Sequence, residues 1–199
     1  MNSCKNHQTD FRCIDKNSII VDAGACQGTF IDFIRSKLYC KIYAIEPCKS
    51  NFIALEDKNY TDVSLFNFAL VGPNTDQYVI FKEYIGLPEW GSIYDKELAH
   101  KHPKFKAEES YEVETMQITD IFKTLCIDHI DYLKMDIEGA EFDVLSSMDI
   151  NMASKIYQLS VEVHTRDNTK IMSLVSNLEN LNYTCEWFAD KLELWAVKK

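Results

Sequence analysis

One short stretch near the start of the chain, residues 19–28, most constrains how it folds. Its sequence, Ile-Ile-Val-Asp-Ala-Gly-Ala-Cys-Gln-Gly, is an apolar run followed by an acid and then by Gly24 and Gly28. A helical pattern begins directly afterwards, at Thr29. The stretch therefore predicts a strand, a tight turn and the start of a helix, with bare glycine backbone that a ligand can approach.

The spacing of the two glycines indicates the kind of ligand. The dinucleotide-binding pattern G-x-G-x-x-G contains a middle glycine that lets the backbone reach a pyrophosphate, and this chain has G-x-x-x-G instead. The turn therefore favours a nucleoside cofactor without a diphosphate, for which S-adenosylmethionine is the obvious candidate. A nicotinamide-dependent dehydrogenase is disfavoured for the same reason.

Composition and charge exclude several classes of protein. The 199 residues are 46% hydrophobic, which suits one globular domain spanning residues 1–199. Acids outnumber bases by 31 to 21, for a formal net charge of −10, and this disfavours a nucleic-acid partner because its phosphates need a basic surface.

The seven cysteines and the lengths of the apolar runs indicate in which cellular compartment the protein is expected. The cysteine number is odd and no C-x-x-C pair occurs, so free thiols in a reducing compartment are expected rather than disulfides or a zinc site. The first twenty residues lack the apolar segment of a signal peptide, and no run is long enough to span a bilayer. We therefore expect a cytoplasmic protein.

Strand and helix patterns alternate along the chain. This alternation predicts an α/β fold with a doubly wound, mostly parallel sheet of seven strands that ends in an antiparallel hairpin. The predicted strands are residues 18–21, 41–45, 63–69, 130–135, 156–163, 183–188 and 192–197, and the predicted helices are residues 28–38, 50–57, 119–125, 139–147 and 169–181. Residues 76–83 and 111–116 predict an inserted hairpin around an irregular loop.

Ligands of such folds bind at the carboxyl ends of the strands, so polar residues there are candidates. Asp22 either holds the turn and attracts the cofactor ammonium or simply accepts amide hydrogen bonds. Glu46 follows Gly24 by about 20 residues, where a carboxylate commonly accepts the two ribose hydroxyls. Asn67 and Ala69, at the third strand's end, either touch an adenine edge or face outward.

The chemistry is expected on two later strands. Lys134 and Asp136 share one face of a strand, and a lysine in an apolar strand is costly unless paired. Glu138 and Glu141 follow, where acids also suit a helix N-terminus. Glu162 and His164 end the next strand, which would place the histidine, a natural base near neutral pH, beside Asp136.

The whole set resembles the FkbM-type methyltransferase family over residues 18–165. The most specific segment is Lys-Met-Asp-Ile-Glu-Gly-Ala-Glu at residues 134–141, in combination with residues 21–28, 45–47, 67–70, 91–93 and 162–164. The resemblance implies a class I, Rossmann-like, S-adenosylmethionine-dependent O-methyltransferase that acts on hydroxyls of sugars or of polyketide-type natural products.

The resemblance and the strand-end pattern together give the predicted site. The predicted cofactor-binding residues are Asp22, Gly24, Ala25, Gly28, Glu46, Pro47, Asn67 and Ala69. The residues predicted to line the reaction centre are Lys134, Asp136, Glu138, Glu162 and His164.

Two departures from the family pattern affect these expectations. Cys26 stands where the family usually has asparagine, which matters little if the backbone makes the contacts. Only some 17 residues precede the first predicted strand, whereas many relatives have a longer segment over the pocket. We therefore expect either a domain of a larger protein or a site closed by self-association.

Two routes of acceptor deprotonation stay open. His164 or Asp136 takes the proton of an aliphatic hydroxyl, or a divalent ion on Asp136 and Glu162 lowers the hydroxyl's pKa. We expect a sugar or glycan acceptor, with a polyketide-type molecule, a nucleic-acid 2′-hydroxyl or binding of the cofactor without turnover as alternatives. Tyr84, Trp90 and Tyr94 either stack on a sugar or anchor the loop at residues 83–110.

Overall fold

A computed structural model describes residues 2–4 and 7–199 of the chain. In this part of the chain the strands are β1 (Asn2–Cys4), β2 (His7–Thr9), β3 (Ile19–Ala23), β4 (Lys41–Ile45), β5 (Val63–Phe66), β6 (Ala69–Val71), β7 (Tyr78–Ile85), β8 (Ala107–Gln117), β9 (Ile130–Met135), β10 (Ile156–Glu162), β11 (Tyr183–Phe188) and β12 (Glu193–Lys198). The α-helices are α1 (Thr29–Arg35), α2 (Lys49–Asp57), α3 (Ile121–Leu125), α4 (Glu141–Ser146), α5 (Ile150–Ala153) and α6 (Asn168–Asn180).

The main sheet has the order β11-β12-β10-β9-β3-β4-β5 among the described residues. The five strands from β10 to β5 pair in parallel, and β12 pairs antiparallel with both β10 and β11. Strand order runs outward from β3 to β5 and then resumes on the other side of β3 at β9. The predicted α/β class with a mostly parallel seven-stranded sheet and a terminal hairpin is confirmed.

Side chains alternate across this sheet and form a core on each face. Along β9, Leu133 and Met135 join one apolar cluster with α4, while Tyr132 belongs to the opposite cluster with α1. Both faces are covered by helices, so the central strands are apolar almost throughout. The sheet's carboxyl edge is thereby held between two packed layers.

A second sheet, in the order β6-β8-β7, contains the inserted hairpin. The hairpin is longer than residues 76–83 and 111–116 predicted. The single strand predicted at residues 63–69 is wrong, because the chain leaves β5 and enters the second sheet as β6. The break falls at Asn67, whose side-chain amide donates to the carbonyls of Glu46 at 2.8 Å and Pro47 at 3.2 Å.

A small antiparallel hairpin of β1 and β2 precedes the first predicted strand, and it was not predicted. It packs against the sheet near β10 and β12 through polar contacts. Tyr132 Oη donates to the Gln8 carbonyl at 2.7 Å, and the Asp10 amide donates to Gln158 Oε1 at 2.8 Å. Three-residue strands of polar residues have too short a pattern to be recognised. This hairpin brings His7 into the molecule's interior.

None of the helices formed by the described residues is long and apolar enough to cross a membrane.

Candidate active site

A cavity of about 730 Å³ opens at the carboxyl edge of the main sheet. The ends of β3, β4, β9 and β10 form its floor, and the loop between β7 and β8 forms its wall. The predicted site residues that line it are Gly24, Glu46, Pro47, Ala69, Asp136, Glu138, Glu162 and His164. Ligands of wound parallel sheets bind in this place, so we take the cavity as the candidate active site.

The glycine turn is bound to both strands that flank β3. The amides of Gly24 and Ala25 donate to the Ile45 carbonyl on β4, at 2.9 and 3.2 Å. Gly24 has φ +76°, and a Cβ there would lie 1.7 Å from the Asp136 carbonyl oxygen beyond β9. Only glycine permits this approach, so Gly24 fixes the distance between the turn and Asp136.

Lys134 lies beneath the glycine turn and does not line the cavity. The prediction that it lines the reaction centre is therefore wrong. Its ammonium lies 3.0 Å from Asp22 Oδ1 and donates to the Gly24 carbonyl at 2.6 Å. Asp22 is fully buried, and Lys134 is nearly so. Burial disfavours the charged form, but the Asp22 and Asp136 carboxylates outweigh burial and raise the pKa of Lys134. This pair explains a lysine within an apolar strand, and it keeps Asp22 away from any cofactor ammonium.

Three other predicted cofactor residues also lie off the cavity wall of the described chain. Ala25 is buried behind the turn. Gly28 precedes α1 with φ +82°, and a Cβ there would lie 2.6 Å from Tyr60 Oη. Asn67 uses its amide on the loop carbonyls described above. None of these three residues lines the cavity, so their influence on it is indirect.

Glu46 is a buried carboxyl group that lines the cavity directly after β4. Its two oxygens accept hydrogen bonds from the amides of Cys26 at 2.6 Å and Cys48 at 2.8 Å. Burial raises the pKa of Glu46 to about 7, and these two amide bonds only partly offset it. Glu46 therefore changes charge near neutral pH at the cavity surface.

Asp136 lies between two histidines where β9 opens into the cavity. Its Oδ1 is 3.8 Å from His164 Nε2, and its Oδ2 is 4.0 Å from His7 Nε2. Burial opposes ionisation, but the neighbouring His7, Lys134 and His164 side chains outweigh burial and hold the pKa of Asp136 well below its ordinary value. Asp136 is therefore a carboxylate at neutral pH.

His164 is oriented by a buried acid that begins α4. Its Nδ1 lies 2.9 Å from Glu141 Oε1, and the amides of Ile137 and Gly139 also donate to the Glu141 carboxylate. Burial disfavours the imidazolium, but the hydrogen bond and the charge of Glu141, together with Asp136, raise the pKa of His164. With Nδ1 held, Nε2 points toward Asp136 and Glu138 at the cavity.

Glu138 connects this centre to the loop wall. The residue has φ +57°, and its carbonyl accepts from Ser92 Oγ at 2.8 Å. Its carboxylate lies 3.2 Å from His164 Nε2 and forms an ion pair with Lys96. Burial lowers the pKa of Lys96, although the surrounding carboxylates oppose that shift. The loop is thereby fastened to the reaction centre by a charged contact.

The aromatic residues of the loop divide between the two expected roles. Tyr84 is fully buried and accepts a hydrogen bond from the Lys96 amide at 3.0 Å, so it anchors the loop. Trp90 lines the cavity and packs against His102, with ring centroids 5.3 Å apart. Tyr94 lies outside the cavity and donates to Asp143 at 3.1 Å. Of these three aromatic residues, Trp90 is the one that lines the cavity.

Three residues of the centre escaped prediction. The sequence indicated Glu141 only as an acid suited to a helix start. Its contact with His164 becomes visible only when the fold brings the two residues together. Lys96 lies in an irregular loop, and His7 in a three-residue strand, so neither has a periodic pattern to mark it. A histidine in a polar N-terminal segment was the one available signal for His7.

Comparisons with solved structures identify the fold. The chain has the fold of ribosomal protein L11 methylase from Lactobacillus delbrueckii subsp. bulgaricus, with a TM-score of 0.51, 11% identity, and coverage of 94% of this chain and 74% of that one. It also has the fold of Aeropyrum pernix fibrillarin, solved with natively bound S-adenosyl-L-methionine, with a TM-score of 0.50, 11% identity, and coverage of 93% and 68%. The fold is that of the class I, Rossmann-like methyltransferases.

The family follows from the sequence. The model of the Methyltransferase FkbM domain matches residues 22–185, and the chain belongs to this family. Methyltransferase sdnD of Sordaria araneosa is 28% identical over 169 residues, which cover 72% of this chain and 65% of that protein. The chain therefore spans less than two thirds of this relative's length.

We predict that replacing Lys134 by Met destabilises the protein strongly. The change removes the ammonium that pairs with the fully buried Asp22, and breaking one side of a buried ion pair costs about 3–5 kcal/mol. Urea unfolding of Lys134→Met measures the loss. The double variant Asp22→Leu, Lys134→Met should regain much of it, and equal stability of the single variant and the unaltered protein would contradict the structural role of the pair.

Proposed function

We propose that this protein transfers a methyl group from S-adenosylmethionine to a hydroxyl of a sugar or glycan. One observation carries the proposal: an imidazole held by a buried carboxylate, His164 on Glu141, faces the same cavity as the glycine turn. A nucleoside site and a base for a hydroxyl therefore share one volume. Membership of the FkbM methyltransferase family supports the type of reaction.

The residues present fit the cofactor. The turn at Gly24 leaves backbone open to the cavity, and the ionised Glu46 is a buried acceptor for the vicinal ribose hydroxyls. Pro47 and Ala69 add apolar surface to the same side. S-adenosylmethionine, when bound, supplies a methyl group activated by its positively charged sulfur. The protein's own task is to place the acceptor and to remove its proton.

His164 is the base that the geometry favours. Glu141, as a carboxylate, accepts from Nδ1–H, so Nε2 is the nitrogen that faces the cavity, and in the neutral form of the ring it carries the lone pair that takes a proton. The acceptor hydroxyl gives its proton to Nε2, and the adjacent Glu141 charge stabilises the resulting imidazolium. Asp136, 3.8 Å from Nε2, adds a second negative charge that stabilises the imidazolium and is the second candidate base.

The cavity wall supports a polyhydroxylated, uncharged acceptor. Carboxylates accept hydrogen bonds from sugar hydroxyls, and the acids that line the cavity are Glu46, Glu89, Asp95, Glu97, Asp136, Glu138 and Glu162. Trp90 adds a ring for an apolar sugar face. Phosphate groups would meet this negative wall, which disfavours a nucleic-acid acceptor. A polyketide-type hydroxyl is the second candidate, because part of the wall is apolar.

The proposed reaction is tested on panels of acceptors with radiolabelled S-adenosylmethionine. Label should enter glycans or free sugars, and mass spectrometry should show a methyl group in place of one hydroxyl hydrogen. Transfer only to polyketide-type alcohols, or only to RNA, would show that the acceptor is not a sugar or glycan. Calorimetric binding of the cofactor without transfer to any panel would contradict the enzymatic role.

We predict that cofactor affinity depends on pH through Glu46. The carboxylate accepts the ribose hydroxyls and the protonated acid does so less well, so binding should tighten as pH rises through about 7. For one proton at that pKa, the Kd of S-adenosylhomocysteine should be about tenfold weaker at pH 6 than at pH 8. Isothermal titration calorimetry at several pH values measures this.

Two variants test the assignment of that pH dependence. Glu46→Gln should bind weakly and show a flat pH profile, because no titrating group remains there. Glu97→Gln, on the same cavity wall, is the matched control and should keep the profile of the unaltered protein. A constant affinity from pH 6 to pH 8 in the unaltered protein would be incompatible with the role given to Glu46.

We predict that replacing His164 by Ala lowers kcat by about 10²–10⁴-fold, the usual contribution of a general base. The Kd of S-adenosylhomocysteine should stay within about twofold, because His164 lies on the acceptor side. Added imidazole should restore part of the rate, which a merely structural role would not allow. Glu141→Gln should lower kcat less, since its role is positioning. Full activity in His164→Ala would show that His164 is not the base and would leave Asp136 as the candidate.

A further inference from the structure

We propose that His7, Asp136 and Glu162 form a binding site for one divalent transition-metal cation. The site lies at the inner edge of the cavity, where Asp136 and Glu162 line the wall and His7 lies behind them on the N-terminal hairpin. Metal binding there is independent of methyl transfer. Any effect of the cation on the acceptor hydroxyl rests on the proposed function.

The three side chains leave a gap of the right size for a cation. One donor atom from each lies within 4.8 Å of the other two. His7 Nε2 and Asp136 Oδ2 are 4.0 Å apart, which is too far for a hydrogen bond. Donor atoms around a metal ion with bonds of about 2.1 Å are roughly 3–3.5 Å apart. A small inward movement of the side chains therefore suffices for coordination.

The hydrogen bonds behind His7 fix which nitrogen faces the gap. Ser160 Oγ donates to Glu193 at 2.8 Å, because a carboxylate only accepts. The same oxygen lies 3.0 Å from His7 Nδ1 and must therefore accept from Nδ1–H. With Nδ1 engaged in this way, Nε2 is the nitrogen that faces the Asp136 carboxylate. Metal-binding histidines are typically held in this way through the other ring nitrogen.

The two carboxylates of the site are not saturated by hydrogen bonds from the described residues. Asp136 Oδ1, the oxygen on the side of His164, is buried without a hydrogen bond among the described residues, and the Glu162 carboxylate has no hydrogen-bond partner within residues 2–4 and 7–199. A cation would satisfy all three donors together.

Two neighbouring clusters contain similar residues but are already satisfied. In Asp136–Glu138–His164, His164 Nε2 is 3.2 Å from Glu138, which also pairs with Lys96. In Asp95–His100–Glu108, His100 Nε2 is 3.1 Å from Glu108. These groups bind each other directly, whereas His7 and Asp136 remain apart.

The donor set indicates the class of metal. One imidazole nitrogen with carboxylate oxygens suits Mn²⁺, Fe²⁺, Co²⁺ or Zn²⁺, whereas Mg²⁺ and Ca²⁺ prefer oxygen donors alone. Mn²⁺ is the most useful probe, because its electron spin reports a coordinated nitrogen.

The experiment titrates chelator-treated protein with Mn²⁺ by calorimetry and examines the complex by electron spin-echo spectroscopy. The unaltered chain should bind one equivalent, with nitrogen modulation from one imidazole. Glu162→Gln should bind at least about tenfold more weakly, and His7→Gln should lose the nitrogen signal. Ser160→Ala, which frees the ring, should weaken binding by about 10–100-fold.

His129→Ala is the matched control, because His129 contacts the acids Asp128 and Asp131 far from the cavity and should leave binding unchanged. Circular dichroism melting in chelator verifies that each variant folds. The absence of stoichiometric binding by the unaltered protein would overturn the proposal, as would a complex without nitrogen modulation. Binding that both His7→Gln and Glu162→Gln retain would overturn it too. Methyl transfer is assayed separately, so a failure of metal binding and a failure of methyl transfer can be told apart.

Discussion

The buried ion pair of Lys134 with Asp22 is the contact on which the site depends. The two residues are register partners on adjacent parallel strands, β9 and β3, at the centre of the sheet. The ammonium also binds the Gly24 carbonyl, so one side chain joins the strand pairing to the glycine turn. Because the turn lies against the backbone of Asp136, the cofactor side and the reaction centre share this one support.

The fold could be predicted from the sequence because its central elements are periodic. Apolar strands alternate with helices, and the signals at strand ends gave the positions of Glu46, Asp136 and His164 correctly with respect to the cavity edge. The direction of Lys134 could not be predicted, because strand periodicity gives the face of a side chain but not its partner. Lys134 and Asp136 share a face, yet the lysine bends beneath the turn toward Asp22.

The remaining site residues depend on contacts between distant segments. Glu141 begins a helix and binds a histidine 23 residues away. His7 is 153 residues from Ser160, the residue that fixes its ring. Lys96 lies in a loop whose course is set by the burial of Tyr84. No local sequence pattern encodes such pairings, because the partners become neighbours only once the order of the strands in the sheet is known.

The inserted sheet has a consequence for how this architecture diversifies. The glycine turn and Glu46 belong to β3, β4 and the turns that follow them, whereas Trp90 and Lys96 come from the segment between β7 and β8. Ser92 and Lys96 of that segment contact Glu138. Mutations in the segment can therefore change one wall of the cavity while the strand ends that form its floor keep their structure. The two parts of the cavity can evolve separately.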